Sequence, residues 1–228
     1  KDEMKNWKFP LHFIDFETSA VALPFYDKMR PYEQIAFQFS HHRVDLNDDG
    51  TYKVTHAGQF INTTPGHFPN FDFIRALKAE LDKDEGTIFR YSNHENTILR
   101  EIHRQLEARN EPDKKELQDF IDSITHHEED KVKYVGERDM VDLADVVLKY
   151  YFHPYMKGSY SIKVVLPSVQ NSSDFIKSKY IEPVYGTPDM PSLNHTEPKI
   201  WTVFGEDGLV KSPYKLLPAI SSYLDTDI

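Results

Sequence analysis

His12-Phe-Ile-Asp-Phe-Glu-Thr18 is an apolar run broken by two acids. Residues His12 to Phe16 have the composition of a central strand, and an acid in the middle of a central strand needs a chemical reason. Strand alternation sends Phe13, Asp15 and Glu17 to one face and Ile14 and Phe16 to the other, so the two carboxylates are neighbours. Burying a carboxylate without a partner is costly, and two like charges raise each other's pKa unless a cation lies between them. Mg²⁺ or Mn²⁺, hard ions that favour carboxylate oxygen, would answer that need. The alternative is that both acids sit at an exposed strand end, paired with Arg or Lys.

Working outward, Gln34 to Val44 is a second β-rich run. The turn-forming segment Asp45-Leu-Asn-Asp-Asp-Gly50-Thr separates it from Tyr52 to Ile61, which signals a hairpin. Phe71 to Leu81 has helical spacing at Phe71, Ile74, Leu77 and Leu81, and Asp82 to Gly86 stops it. Thr87 to Tyr91 reads as a short strand. Asn93 to Leu106 reads as a helix from Ile98, Leu99, Ile102 and Leu106, and Lys114 to Ile124 as a further one. Met140 to Tyr151 gives a last helix with Asp142 placed to cap it. Beyond about Val169 the periodicity decays, and Gln170 to Tyr214, rich in Pro, Ser, Asn and Gly, offers one short strand at Lys199 to Phe204. Residues 170–228 are therefore expected to be an irregular insertion or tail. The order strand, hairpin, helix, strand, helix predicts an α/β fold over 1–228: a mixed sheet, three antiparallel strands and then parallel ones, flanked by helices.

With 228 residues, 39% of them hydrophobic, the chain can bury a substantial core as one domain. No stretch is long and apolar enough for a membrane span, and Lys1 to Pro10 lacks a signal-peptide core, so a soluble, cytoplasmic protein is expected. The absence of Cys excludes disulfides and a thiol nucleophile. A net charge of −10 argues against a generic basic coat for nucleic acid. It does not argue against a nuclease, because a two-metal site needs clustered carboxylates and bound cations reverse the local field.

Asp15-Phe16-Glu17-Thr18, closing an apolar strand and followed by a hairpin, resembles the first motif of the DnaQ-like, or DEDD, 3′-5′ exonuclease superfamily, whose fold is RNase H-like. The resemblance implies that Asp15 and Glu17 bind two catalytic Mg²⁺ or Mn²⁺ ions and that Thr18 lies beside the scissile nucleotide. The second superfamily motif, an acid on a helix after a strand with an apolar residue four positions on, is matched by Glu95 and Leu99 after Thr87-Ile-Phe-Arg-Tyr91, with Glu in place of the commoner Asp. Glu95 would be the third ligand; alternatively it is a solvated first-turn acid complementing the helix dipole. Asn93 would cap this helix, and His94 would be a neighbour of the site or a surface residue and not a ligand.

Pro24-Phe-Tyr26, Pro31-Tyr-Glu-Gln-Ile-Ala-Phe-Gln-Phe-Ser40 and Tyr151-Phe-His-Pro-Tyr-Met-Lys-Gly-Ser-Tyr-Ser-Ile-Lys-Val-Val-Leu-Pro167 are similar to a bacterial domain family described as of unknown function. That family is classed with the DEDD exonucleases and often follows a RecB-like nuclease domain. The resemblance spans residues 10 to 169 and implies covalent linkage to other domains and a role in DNA repair or defence. Within Lys157-Gly-Ser-Tyr-Ser-Ile-Lys163, Lys157, Ser159 and Lys163 would hold phosphate, Gly158 would permit close backbone approach, and Tyr160 would stack on a base. The segment reads equally as a structural turn locking the preceding helix in place.

A fourth acid belongs to the superfamily pattern, with a Tyr or His that orients the attacking water. Tyr223-Leu-Asp-Thr-Asp227 matches Tyr-x-x-x-Asp literally, Asp142 is a second candidate and Asp145 a third. In the resembled family the motif is Tyr-Cys-x-x-Asp-Thr, and the lack of Cys fits a chain that stops before it, which would leave this chain inactive as it stands. The expected function is a two-metal 3′-5′ exonuclease acting on nucleic acid. The alternatives are a catalytically inactive nucleic-acid-binding or regulatory module and an unrelated metal-binding hydrolase on the same sheet class.

Overall fold

The run around Asp15 is strand β1 (Leu11–Ser19), the middle of a five-stranded sheet. A computed structural model describes residues 1–192, 195 and 197–217, and the chain divides into two units, Lys1–Leu143 and a second beginning at Ala144. In the first unit β2 (Ile35–Leu46) pairs antiparallel with β1 and with β3 (Tyr52–Ile61). On the other side of β1, β4 (Ile88–Arg90) runs parallel to it, and the two-residue β7 (Val141–Asp142) runs parallel to β4. The order β3-β2-β1-β4-β7 is the expected mixed sheet, antiparallel and then parallel, compatible with the RNase H-like fold.

One sheet face makes the core. Ile14, Phe16, Ala36 and Phe39 pack against α1 (Asn70–Leu81), α2 (His94–Glu107) and α3 (Lys114–Ile124). Phe73, Ile74, Leu77 and Leu81 from α1, Ile98, Leu99, Ile102 and Leu106 from α2, and Leu117, Phe120, Ile121 and Ile124 from α3 complete it. Each such side chain contributes about 1.5–3 kcal/mol on burial. Asn70, fully buried at the start of α1, accepts from the Ala36 N–H at 2.8 Å and donates to the Gln34 carbonyl at 3.0 Å, which fixes the entry into β2. Phe13, Asp15 and Glu17 lie on the opposite face, as parity requires, with Phe13 stacked on Phe89 at 4.9 Å. A Cβ on Gly86 would run into the Pro10 carbonyl and the His12 ring, so only glycine lets the chain pass β1 into β4.

Two features after α3 depart from expectation. A hairpin of β5 (His126–Glu129) and β6 (Val132–Val135) follows α3. The helix expected from Met140 begins three residues later as α4 (Leu143–Tyr150), because Val141 and Asp142 are drawn into the sheet beside β4.

In the second unit, the segment expected to lose order after Val169 holds the end of α5 (Ile162–Ser172) and all of α6 (Asp174–Ile181). Ser173 caps α6 by accepting from the Ile176 N–H at 3.3 Å. The strand expected at Lys199 to Phe204 is absent as a strand; Lys199 and Phe204 each form an isolated bridge, to Tyr185 and Val210. Among the described residues no helix is long and apolar enough to cross a membrane.

Candidate functional site

Asp15 stands on the open face of β1, and Glu95 in the first turn of α2, which the short β4 delivers beside β1. Glu95 is not a solvated first-turn acid: it is 3% exposed, and its Oε2 has no hydrogen-bond partner. Burial pushes its pKa up to about 7. The carboxylates of Asp15 and Asp142 push the same way, against the pull of its own backbone N–H and of Arg90. Asp15, although open to solvent, is crowded enough that lost hydration raises its pKa, while His94 and the Phe16 backbone N–H pull it down. Asp15, Glu95 and Asp142 are therefore electrostatic neighbours.

Asp142 reaches from β7 to β4 and the turn that follows it. Its carboxylate accepts from Arg90 Nη1 at 2.8 Å and from the Ser92 backbone N–H at 2.8 Å, because β7 lies parallel to β4 with Arg90 and Asp142 in register. Arg90 also donates to the Ser92 carbonyl. The side chains of this pair are 3% and 14% exposed, so the clamp is a buried one. It shapes the turn from β4 into α2, where Ser92 adopts φ +73°, and so it sets the direction in which Glu95 enters the site. Sequence reasoning missed Arg90; the signal was a lone charge within Thr87-Ile-Phe-Arg-Tyr91, as informative there as Asp15 is in β1.

Thr18, where β1 leaves the sheet, shares a hydrogen bond with His94 Nε2 at 3.2 Å. His94, expected as a neighbour or surface residue, thus ties the exit of β1 to the start of α2 and also bears on Asp15. Asn93 occupies the cap position of α2 without a side-chain cap bond; its amide donates instead to the Thr97 hydroxyl at 3.2 Å. Glu17 is exposed on the same strand face as Asp15, two residues along.

Lys157, Ser159, Tyr160 and Lys163 belong to the second unit, in the segment entering α5. There Lys157 and Gly158 have φ +50° and +81°, and a Cβ on Gly158 would meet none of the described residues. The glycine answers to its left-handed backbone. The Ser161 N–H donates to the Ser159 hydroxyl at 3.3 Å, and Lys163 lies over the Tyr214 ring. Asp145 is exposed on α4, also in the second unit. Tyr223 and Asp227 lie outside the described residues.

The donor set of Asp15, Glu17 and Glu95 is all carboxylate oxygen, and the buried, unpartnered Glu95 Oε2 fits a hard divalent cation in chemistry. Among the described residues, no three His, Asp or Glu side chains are placed together as a ready set of ligands. A protein-family model described as "Domain of unknown function (DUF2779)" matches residues 12–161. No curated protein and no solved structure matches the chain.

Proposed function

We propose that this chain, which belongs to the family of that model, is a metal-dependent 3′-5′ exonuclease domain acting on nucleic-acid phosphodiesters in the cytoplasm, linked to other domains in DNA repair or defence. The observation that carries the reading is Glu95: a buried acid with an orphaned oxygen, beside two further acids, in a protein with carboxylates to spare on its surface. Such a cluster weakens the fold unless a cation enters it. Asp15, Glu17 and Glu95 would hold two Mg²⁺ or Mn²⁺ ions, which when bound acidify the attacking water and stabilise the leaving 3′ oxygen. Arg90 and Asp142 hold the β4–α2 turn that carries Glu95. Thr18, fixed by His94, stands at the exit of β1 beside the acids.

The experiment is a melting curve with and without Mn²⁺, joined to an assay on 3′-labelled single-stranded DNA and RNA. Mn²⁺ at about a hundred times its Kd should raise Tm by about 5 °C or more, since it binds the folded state alone. The shift should vanish in Asp15→Asn and in Glu95→Gln, and Glu17→Gln should abolish any 3′ label release. An equal shift in Asp15→Asn overturns the metal assignment. A second reading, a non-catalytic nucleic-acid-binding or regulatory module, is favoured by the lack of three converged ligands among the described residues. That reading takes the lead if Mn²⁺ binds at Asp15 and no substrate is cut.

A further inference from the structure

The first turn of α2, which carries Glu95, leads directly into a groove of about 500 Å³ between that helix and the β5–β6 hairpin. Asn93 and Asn96 line its near end, and Arg100 and Arg104 continue along the same helix face. From Asn93 to Arg104 is about 16 Å of helix. Lys133 lines the hairpin side, so the groove's Arg and Lys outnumber its acids, Glu101 and Glu128, in a chain whose net charge is −10. Arg100 is tied to Asp122 and Arg104 to Glu101, while Arg104 and Lys133 are both exposed. On the same hairpin as Lys133, His127, another lining residue, stacks on its cross-strand partner Tyr134 with centroids 4.9 Å apart and planes 11° from parallel. Tyr134, beyond the groove's own lining, is 47% exposed, so the pair extends the His127 side of the groove as a flat aromatic ledge.

Cations along both walls and an aromatic ledge on the hairpin are the features by which a protein holds one unpaired strand, phosphates on the cations and a base on the ring, and the groove's near end is the helix turn that carries Glu95. A duplex keeps its bases stacked on each other and offers none to the ledge. Building on the exonuclease reading, we propose that the α2–hairpin groove is the track for a single-stranded nucleic acid whose end reaches the Asp15–Glu95 site. Phosphates lie along Arg100, Arg104 and Lys133, and a base lies on His127 and Tyr134.

The test is fluorescence anisotropy of the whole chain in EDTA, where nothing is cut, with 5′-labelled oligothymidylate, oligouridylate and a blunt DNA duplex at several salt concentrations. Lys133→Glu combined with Tyr134→Ala changes two exposed positions of the hairpin and should leave Tm unaltered. Affinity for the single strands should fall about tenfold or more in the double variant. The slope of log Kd against log salt should fall by about one for each cation lost, and Arg104→Gln alone should show the same drop in slope. Asp15→Asn should bind the strand at least as well as the parent. Unchanged affinity in the double variant, no binding by the parent, or tighter binding of duplex than of single strand overturns the track. The two readings fail separately: a Mn²⁺ melting shift at Asp15 with a neutral hairpin variant sinks only the groove. Loss of strand binding in the hairpin variant without any Mn²⁺ shift sinks only the metal centre.

Discussion

Glu95 is the residue whose chemistry is most exposed to test, because its raised pKa makes a signed statement about stability. The unfolded chain releases its proton near 4.5 and the folded chain near 7, so below 4.5 the group is protonated in both states and contributes nothing. Between those values the unfolded state ionises first, and the fold loses stability as pH rises; above about 7 the penalty is constant. A shift of this size corresponds to about 3 kcal/mol, as an order of magnitude for a side chain this buried. Glu95→Gln removes the titration. In EDTA, the stability of Glu95→Gln relative to the parent should therefore climb by about 3 kcal/mol between pH 4.5 and pH 8, read from urea unfolding. With Mn²⁺ present the order should reverse, because only the parent carboxylate gains a cation. A parent and variant whose difference stays flat with pH would show that Glu95 is not the strained acid of the site.

At the scale of elements, the parallel pair β4 and β7 acts through Arg90 and Asp142, and this gives a prediction that separates structure from ligation. Removing one partner of a buried ion pair costs about 3–5 kcal/mol, because the other charge is left behind. Asp142→Ala should destabilise the chain by about that much without any metal, whereas a residue that served only as a metal ligand would leave the metal-free protein unchanged or firmer. Asp142→Asn, which can still accept from the Ser92 N–H, should lose less. The pair was invisible in the sequence because its members are far apart along the chain and the strand that joins them, Val141–Asp142, is too short to have a period. Asp15 and Glu17 were legible because β1 is long and its alternation is plain; the helical stripes of α2 and α3 were legible for the same reason. The β5–β6 hairpin was not, since His126-His-Glu-Glu129 is polar throughout and its turn puts Asp130 and Lys131 at φ +50° and +66° without the usual Gly or Asn. Pro167 disguised α5, and α6 buries no residue and so has no apolar face to read.

For the whole molecule the contrast between the two units matters most. The first holds the sheet, three helices around a continuous apolar core, and the acids Asp15, Glu17, Glu95 and Asp142. In the second, the described buried hydrophobic residues are few: Ala144, Met156, Val165 and Val210, with α6 contributing none. Local opening costs least where least apolar surface is buried, so amide exchange should be slowest in β1, β2, α1 and α2 and much faster in α6, where Phe175 is 75% exposed. Metal adds a second, sharper expectation. If Asp15, Glu17 and Glu95 suffice to hold the ions, Mn²⁺ should slow exchange through the carboxyl end of β1 and the first turn of α2 and leave α5 and α6 unchanged. The comparison is made by mass spectrometry on the parent and on Asp15→Asn, in which no segment should respond. Slowing in α4 as strong as that in β1 would mean that an acid of the second unit, Asp145 being the described candidate, completes the ligand set, and the assignment of the site to the first unit alone would have to be given up.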